Sequence, residues 1–560
     1  MGGSMLAVRP KQTQSMHTRD GIRLDADVYW PDASGQFPVL LMRQPYGRAI
    51  ASTVVYAHPT WYAAHGYIVV IQDVRGRGTS DGTFQLFTDE ISDGFDTLDW
   101  VAQLPQSSGA IGMYGFSYQG MTQLYAAATR HPALKTICPA MVAYDLYADW
   151  AYEGGAFCTQ LNLGWATQLA AETARRKGDR QAYTTLYAAA HNLDLSDPVC
   201  SHSALLQQLA PESFYHHWLE QPDPDAPYWQ ALSPQTHLMA VDLPMLHIGG
   251  WFDTYLRGTM ALYRAIAPRS QYLQHLWVGP WGHLPWSRRT GALDYGATAS
   301  SPIDATQIRW FDQFLKGQDT GLVAEPPITW FEMGSNHWRS LPQYPIAPAQ
   351  TFYLHSNGLA GMGDRHGQLI PTATPDSNWA AIPDTIVHDP WRPVPALGGH
   401  STLPSGSFDR AAIDGRSDVL TYTTAPLDAP LSLAGDIRVV VQVEADAPSF
   451  DLCAVLSEVF PDGRVMAFSQ GYRRVAAAAI PDVEPKGWAI ALQPTCIQLA
   501  PGNALRLSLS AACFPAYAIN GGRGDRPSDS RLMEARIITL TLKTGRNGTL
   551  LSLPMQTAQP

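Results

Sequence analysis

Residues 111–132 read IGMYGFSYQGMTQLYAAATRHP, and the fold prediction starts here. The apolar start predicts a strand over 111–115, and the residues after it predict a helix from Tyr118 to about Arg130. Ser117 lies at the bend between the two, with Gly115 two residues ahead of it. A serine at a tight strand-to-helix turn is typical of a nucleophile held in a strained conformation, and an ordinary helix N-cap serine is the alternative.

The segments before this turn alternate between strand-like and helix-like patterns. Runs of β-branched and aliphatic residues predict strands near 24–30, 37–46 and 66–74, and a helix spans about 91–104. The runs at 37–46 and 66–74 are apolar throughout, as expected for strands that are covered on both faces. The alternation therefore predicts a largely parallel sheet with helices on both faces.

Two changes of pattern divide the rest of the chain. Strand signals disappear from about 142 to 240, where the spacing is helical, and they resume over 241–345. Beyond 345, short β-rich runs separated by Pro, Gly, Asn and Asp predict an all-β sandwich or jelly roll. We therefore predict an α/β fold in four parts: the first part of an α/β domain (1–141), an inserted helical cap (142–240), the second part of the α/β domain (241–345) and a β jelly-roll domain (346–560).

The composition restricts the class of protein. With 560 residues the chain exceeds a single core of about 100–200 residues, so we expect two or three domains. A net charge of −11 and the lack of a basic stripe in the sequence argue against nucleic-acid binding. The longest apolar runs fall well short of the ~20 residues of a membrane span, and the N-terminus lacks the regions of a secretory signal.

The six cysteines are scattered and form no C-x-x-C pair. Their spacing predicts free, buried thiols in a reducing compartment and no zinc site, so we expect a cytoplasmic protein. The six are Cys138, Cys158, Cys200, Cys453, Cys496 and Cys513.

An acid and a histidine follow Ser117 in the chain order that α/β-hydrolases use. Asp253 comes directly after a predicted strand (243–252), and His283 follows the next one (272–281). The carboxyl ends of such strands share one edge of the sheet, where open α/β sheets bind ligands. We therefore predict that Ser117 attacks the substrate, His283 transfers the proton and Asp253 orients the imidazole. Taken singly, Asp253 could equally cap a helix, and His283 could be a hydrogen-bonded loop histidine.

Negative charge that develops on the substrate oxygen requires hydrogen-bond donors. The backbone N–H of Tyr118, the residue after the nucleophile, is the first candidate. The second is expected from RQPYGR (43–48), where Tyr46 could offer its phenol hydroxyl. A core-packing role for Tyr46 is the alternative.

Six segments together resemble one known family. They are RQPYGR, DVRGRGTSDGTF (73–84), GMYGFSYQGM (112–121), GGWFDTYLRG (249–258), GPWGH (279–283) and SFDRAAIDGRSDVLTYTTAPL (407–427). The chain resembles the X-prolyl dipeptidyl-peptidase/cocaine esterase (CocE/NonD) family of serine hydrolases over nearly its whole length. This resemblance implies an α/β-hydrolase domain with an inserted helical cap and a C-terminal jelly roll, and it implies Tyr46 as the second oxyanion donor. The family's serine turn reads G-x-S-Y-x-G, which fits Gln119 at the place where G-x-S-x-G has glycine.

The resemblance also bears on the substrate. Family members that act on α-amino-acid esters carry acidic residues directly after the triad aspartate, and here Thr254, Tyr255 and Leu256 occupy those positions. Asp149 and Glu153 in the cap supply only part of such a cluster. We therefore expect no complete site for a substrate ammonium group.

Aromatic residues are placed to line an apolar acyl pocket, as in members similar to cocaine esterase, with core packing as the alternative at each position. They are Trp150, Trp165, Phe252 and Tyr255. We predict a serine carboxylesterase that cleaves esters of small, largely neutral acyl groups through an acyl-enzyme, without a metal or an organic cofactor. Its expected partner is a small-molecule ester or amide, with neither nucleic acid nor membrane, and a homo-oligomer stays open. The alternatives are an amidase or acylase, including X-prolyl dipeptide release, and a non-catalytic carbohydrate-binding protein.

The glycine-rich segment DVRGRGTSDG (73–82) has the look of a nucleotide loop. Its spacing is G-x-G-x-x-x-G, and the helix after it is acidic and does not open on the glycines. We therefore expect no nucleotide site there.

Overall fold

The structure is a computed structural model, which describes residues 5–49, 53–199, 201–345, 349–363, 365–374, 381–476, 479, 481, 483, 487–524, 526 and 529–556. Cys200 lies outside these residues, and the five other cysteines are free and buried. Over the same ranges, no helix combines the length and apolarity needed to cross a membrane.

The first part of the chain supplies the centre of an open sheet. Its elements are β1 (Gln12–His17), β2 (Arg23–Tyr29), β3 (Phe37–Gln44), α1 (Pro59–Ala64), β4 (Ile68–Asp73), α2 (Glu90–Ala102), β5 (Ser107–Phe116), α3 (Tyr118–Ala128) and β6 (Leu134–Ala140). Strands β3 and β4 are buried along almost their whole length, as their continuous apolar runs predict.

The insertion that follows is mainly helical. It contains a π-helical turn (Tyr147–Ala151), a two-stranded hairpin of β7 (Tyr152–Glu153) and β8 (Ala156–Phe157), and the helices α4 (Thr159–Lys177), α5 (Arg180–His191), α6 (Ala204–Leu209), α7 (Phe214–Glu220), α8 (Pro227–Leu232) and α9 (Pro234–His237). The hairpin was not predicted, and it brings Glu153 to the junction with the C-terminal part of the chain.

The sheet is then completed by a second set of elements. These are β9 (Met245–Phe252), α10 (Leu256–Ile266), β10 (Gln274–Gly282), the short β11 (Arg289–Thr290) and β12 (Leu293–Asp294), α11 (Ile303–Lys316), β13 (Ile328–Glu332) and β14 (His337–Leu341). Ten strands pair in the order β1-β2-β4-β3-β5-β6-β9-β10-β13-β14. The seven from β4 to β13 in this order run parallel, and β1, β2 and β14 pair antiparallel with their neighbours.

Strand β6 was not predicted, and it separates the serine strand β5 from β9. Pro139 lies within it, opposite Gly115 of β5. A proline has no N–H for the ladder, so its presence in a sequence argues against a central strand. Here it falls next to the end of the strand, where few ladder bonds remain to be made.

The described residues of the C-terminal part form β-strands, one short α-helix and a 3₁₀ helix (Leu532–Glu534). Its elements are β15 (Ala349–Ser356), β16 (Gly367–Pro371), β17 (Asp384–His388), α12 (Ala411–Asp414), β18 (Leu420–Thr423), β19 (Leu431–Val441), β20 (Val443–Ala445), β21 (Phe450–Val459), β22 (Val465–Val475), β23 (Trp488–Leu499), β24 (Ala504–Ser510), β25 (Ile538–Leu542) and β26 (Leu550–Pro554). Nine strands form one sheet in the order β22-β21-β24-β18-β16-β15-β26-β19-β23, and β17-β25-β20 form a second. This agrees with the predicted jelly roll.

Three large apolar cores hold these parts together. One joins a face of the ten-stranded sheet to the helical insertion and includes Tyr118, Trp150 and Trp218. A second continues from β9 and β10 into the jelly roll through Trp251 and Ile490. A third covers the other face of the sheet. Because burial of apolar area is the main stabilising term, the sheet, cap and jelly roll depend on one another for packing.

Candidate active site

Ser117 sits at a strained turn between β5 and α3. Its backbone has φ 59° and ψ −127°, a left-handed region that residues other than glycine seldom adopt. The turn is fixed because the Ser117 N–H donates to Ala140 O (2.9 Å) and its carbonyl accepts from Gly120 N (2.9 Å). The Ser117 side chain makes no capping hydrogen bond to α3, so its hydroxyl remains available for other contacts. The alternative of an ordinary N-cap serine is therefore wrong.

The residues around the serine explain its departure from G-x-S-x-G. A Cβ on Gly115, where φ is +139°, would lie 2.5 Å from Gln119 Cβ, so only glycine fits before the bend. Gln119 turns its side-chain oxygen back to accept from the N–H of Phe116 (3.3 Å). Gly120 packs against β6, where a Cβ would lie 2.8 Å from Ala140 O. The glycine needed for close helix–strand packing thus falls one residue later than in G-x-S-x-G.

Asp253 and His283 follow β9 and β10, and the structure brings them together. His283 Nδ1 lies 2.7 Å from Asp253 Oδ1, and the aspartate is fully buried. The second carboxylate oxygen accepts from Tyr255 N (3.1 Å), while the N-cap position of α10 is Tyr255 itself. The imidazole packs on Phe116, directly before Ser117, with ring centroids 5.4 Å apart. Asp253 and His283 therefore form a hydrogen-bonded pair beside the serine turn.

The Tyr46 hydroxyl reaches the same place from the loop after β3. It accepts from Trp165 Nε1 (3.1 Å) and makes a hydrogen bond with the Ser117 side chain. Burial raises the pKa of Tyr46 to about 12, against the opposing effect of these two hydrogen bonds and of nearby Arg77. The phenol is therefore protonated at neutral pH and can donate.

Tyr118 occupies the first turn of α3, where backbone N–H groups have no acceptor within the helix. Its side chain is buried and donates to Glu90 Oε1 (2.7 Å), and Glu90 Oε2 lies 2.6 Å from Arg43 Nη1. Burial raises the pKa of Glu90, and the Arg43 charge opposes this. This buried ion pair, which the sequence analysis did not anticipate, anchors the residue next to Ser117. Its signal was an arginine inside the apolar run of β3.

Three of the four predicted pocket aromatics pack together. Trp150 lies 5.2 Å from Trp165 and 4.1 Å from Tyr255 between ring centroids, and Tyr255 packs edge-on against His283 at 5.0 Å. Phe252 is buried in a different core, which continues into the jelly roll. Phe87 was not predicted, yet it stacks on Tyr118 (4.7 Å) and meets Trp150 edge-on (5.6 Å).

The two cap carboxylates are engaged within the protein. Asp149 accepts from the N–H groups of Tyr144 (3.0 Å) and Asp145 (2.8 Å), and burial raises its pKa to about 6. Glu153 Oε2 lies 2.9 Å from Arg257 Nη1 and accepts from the Tyr517 hydroxyl. Glu153 is thus engaged through Oε2 and its charge is paired with Arg257, while its Oε1 is buried without a hydrogen-bond partner.

The jelly roll contributes directly to this edge of the sheet. Gln493 of β23 donates from Nε2 to the carbonyl oxygen of Asp253 at 2.6 Å, although the two residues are 240 positions apart. Both are almost fully buried. No local sequence signal identifies this contact. Among the described residues, no cluster of His, Cys, Asp and Glu is suited to hold a metal ion.

Comparisons with known proteins agree with this architecture. Residues 20–285 match the model of the X-Pro dipeptidyl-peptidase (S15 family), and residues 320–549 match that of the X-Pro dipeptidyl-peptidase C-terminal non-catalytic domain. The cocaine esterase of Rhodococcus sp. (strain MB1 Bresler) is 32% identical over 536 residues, 90% of this chain and 91% of the relative. A Mycobacterium bovis protein named as a serine esterase is 26% identical, covering 90% of each chain.

Solved structures share the whole fold. An aminopeptidase from the marine sediment archaeon Thaumarchaeota archaeon superposes with a TM-score of 0.80 at 22% identity, covering 98% of this chain and 96% of that one. An α-amino acid ester hydrolase gives a TM-score of 0.78 at 23% identity, covering 98% and 97%.

The parallel sheet, the strained serine turn and the acid and histidine after later strands define the fold class as an α/β-hydrolase with a helical cap and a jelly-roll domain. Within that class, the chain belongs to the family of serine hydrolases that contains the S15 X-Pro dipeptidyl-peptidases and cocaine esterase, and it is an enzyme.

Proposed function

We propose that this enzyme hydrolyses carboxylic esters of small, largely neutral acyl groups through an acyl-enzyme on Ser117. The observation that carries the proposal is the hydrogen bond from His283 to the buried Asp253, beside the strained serine turn. A serine hydroxyl is a weak nucleophile unless a base takes its proton, and a histidine held by a carboxylate is such a base.

In the proposed cycle, Ser117 Oγ attacks the ester carbonyl carbon while His283 Nε2 takes the hydroxyl proton. The carbonyl π electrons move to oxygen, and the tetrahedral intermediate collapses as His283 returns the proton to the leaving alcohol. Water then attacks the acyl-enzyme with the same base, which releases the acid and restores Ser117. Asp253 holds the imidazole orientation and stabilises its charged form.

The oxyanion is proposed to accept hydrogen bonds from the Tyr46 hydroxyl and the Tyr118 backbone N–H. Tyr46 already contacts the Ser117 hydroxyl, and its raised pKa keeps its proton in place. Because Trp165 Nε1–H donates to the Tyr46 oxygen, the phenol hydrogen is free to point at the reacting centre. Preorganised donors of this kind lower the barrier without reorganisation during the reaction.

Aromatic packing next to Tyr46 favours an apolar acyl group. Trp165, which holds Tyr46, belongs to the chain of aromatic rings formed with Trp150 and Tyr255. Predominantly apolar linings with few polar groups are typical of sites for small molecules. The pairing of Glu153 with Arg257 argues against a cationic amino-acid ester, because a buried ammonium needs a carboxylate whose charge is not already compensated.

Hydrolysis of p-nitrophenyl butyrate tests the proposal. Ser117→Ala is expected to lower kcat by about 10⁴-fold or more, and Tyr46→Phe by about 10²–10³-fold. Ser108→Ala, at the exposed start of β5, and Tyr187→Phe, on the cap surface, are matched controls that should keep full activity. Fluorophosphonate labelling that survives Ser117→Ala would assign a different nucleophile.

A second candidate is X-prolyl dipeptide release, which the name of the matching family model favours. That reaction needs a site for a free peptide N-terminus, and an amine leaves less readily than an alkoxide. Comparing kcat/KM for p-nitrophenyl butyrate and glycyl-prolyl-p-nitroanilide separates the two. A higher value for the anilide would replace the esterase proposal with this one.

A further inference from the structure

The glycine-rich loop after β4 folds tightly around the Asp73 carboxylate. Gly76 and Gly78 have φ of +69° and +52°, and a Cβ on Gly78 would collide with that carboxylate. The loop therefore requires glycine for a packing reason. The two arginines of the loop, Arg75 and Arg77, lie in different surroundings.

Asp73 also ties this loop to the loop that carries Tyr46. Asp73 Oδ1 accepts from Arg48 N (2.7 Å) and from Gln44 Nε2 (3.3 Å), and the Gln44 side-chain oxygen accepts from Tyr46 N (3.1 Å). The segments RQPYGR and DVRGRGTSDG thus form one hydrogen-bonded unit behind the oxyanion site.

Arg77 of this unit is buried, and among the described residues no carboxylate is bonded to it. It is 2% exposed, its Nη1 donates to Leu169 O (3.0 Å), and its guanidinium lies 3.8 Å over the Phe84 ring. Its Nε has no hydrogen-bond partner, and no ion pair to Arg77 occurs in the part of the chain that the structure describes. Arg75, two residues earlier, contrasts with it, because it pairs with Asp20 (2.7 Å) and Asp93 (2.6 Å).

The buried charge lies beside the Tyr46 phenol. Trp165 and Leu169, one turn apart on α4, bind Tyr46 and Arg77 respectively, so both side chains meet the same face of that helix. Burial lowers the pKa of Arg77 to about 10, opposed in part by the electrostatic effects of Tyr118, of the more distant carboxylate of Glu172 and of Tyr46. The guanidinium is therefore charged at neutral pH, and it interacts electrostatically with the phenol of the oxyanion donor Tyr46.

We infer that Arg77 is a positioning residue for the oxyanion site, whose unpaired charge orients the Tyr46 hydroxyl and stabilises the negative charge of the tetrahedral intermediate. A cation near the phenol oxygen favours the orientation in which the hydrogen points away, toward the reacting carbonyl. A carboxylate bonded to the guanidinium would cancel much of this field, and among the described residues none forms an ion pair with Arg77; Glu172 acts on it only from a distance. Fixed charges in a water-poor site act strongly on a transition state because no solvent has to reorganise. The inference rests on the proposed function of Ser117 and Tyr46.

Kinetics of Arg77→Met on p-nitrophenyl butyrate provide the test, since methionine keeps much of the bulk and removes the charge. We expect kcat to fall about 10- to 100-fold with KM changed less than about threefold, because the charge acts on the transition state. The inhibition constant of phenylboronic acid, which forms a tetrahedral anionic adduct with the serine, should rise by the same factor as kcat/KM falls. Arg77→Lys retains the charge and should recover most of the lost rate.

Arg75→Met is the matched control, since it removes a cation of the same loop whose charge is neutralised by aspartates. If Arg77 had only a structural role, Arg77→Met would lower the melting temperature and leave both kcat and boronate inhibition unaltered. Folded Arg77→Met with kcat within about threefold of wild type, or Arg77→Lys as slow as Arg77→Met, would overturn the inference. If Arg77→Met does not fold, Arg77→Gln carries the same expectation, because its amide can still donate to Leu169 O.

Failure of the proposed function gives a different result. In that case the wild-type enzyme itself neither hydrolyses the ester nor is inhibited by phenylboronic acid. The inference about Arg77 fails only when the wild-type enzyme hydrolyses the ester and is inhibited by phenylboronic acid, and the uncharged variants show the same hydrolysis rate and the same inhibition.

Discussion

Glutamine in place of Glu153 is expected to weaken the junction between cap, sheet and jelly roll. Glu153 Oε2 from the cap lies 2.9 Å from Arg257 Nη1 of α10 and 2.9 Å from His400 Nε2 of the jelly roll, and it accepts from the Tyr517 hydroxyl. Glutamine keeps the shape and one acceptor oxygen but removes the charge. The Arg257 guanidinium would then lose its carboxylate in a buried setting.

Two arguments give the size of the effect. Burial alone would raise the pKa of Glu153, but Arg257 and His400 outweigh it and lower the pKa from 4.5 to about 2, which corresponds to about 3 kcal/mol. Removing one partner of a buried ion pair costs about 3–5 kcal/mol in general. We therefore expect the free energy of unfolding at pH 7 to fall by about 3 kcal/mol.

The pH dependence has a defined sign. Because the folded-state pKa lies below that of the unfolded chain, the stabilisation is fully present above about pH 4.5 and is lost as the pH falls toward 2. The difference between wild type and Glu153→Gln should therefore shrink to less than about half at pH 3.

Urea unfolding followed by tryptophan fluorescence at pH 7 and pH 3 measures this difference. Glu212→Gln is the matched control on the cap surface, where the exposed Glu212 pairs with Lys177, and it should change stability by less than about 0.5 kcal/mol. A loss below about 1 kcal/mol for Glu153→Gln at pH 7, or an equal loss at both pH values, would refute the reasoning.

Two further substitutions probe the packing around the serine turn. Gly120→Ala should destabilise the enzyme by about 1–3 kcal/mol, because its Cβ would lie 2.8 Å from a carbonyl oxygen of β6. Gly164→Ala in α4 is the control and should be neutral or stabilising. Equal melting temperatures for the two variants would contradict this expectation. Gln493→Ala removes the hydrogen bond to the Asp253 carbonyl and should lower kcat about tenfold with little change in KM. Gln498→Ala on the same strand is the control and should keep kcat. Unaltered kcat for Gln493→Ala would show that the jelly roll does not help to position Asp253.

Most elements of the sheet could be predicted from local patterns. The expected strands near 37–46, 66–74 and 243–252 appear as β3, β4 and β9, because uninterrupted apolar runs bury favourably on both faces of a parallel sheet. The expected helix over 91–104 appears as α2. Strand β6 was missed because Pro139 opposes a strand in the sequence, and the cap hairpin was missed because its strands have only two residues each.

The sequence alone predicts that Ser117, Asp253 and His283 each follow an apolar strand, because strand patterns and tight turns depend on neighbouring residues. The partners that surround them cannot be read from local patterns, because they come from distant segments that meet only when sheet, cap and jelly roll pack against one another. Gln493 reaches Asp253 from the jelly roll, Trp165 reaches Tyr46 from the cap, and Phe252 turns into a neighbouring core. Local periodicity carries no information about such contacts, since burial there is set by the fit between surfaces of different domains.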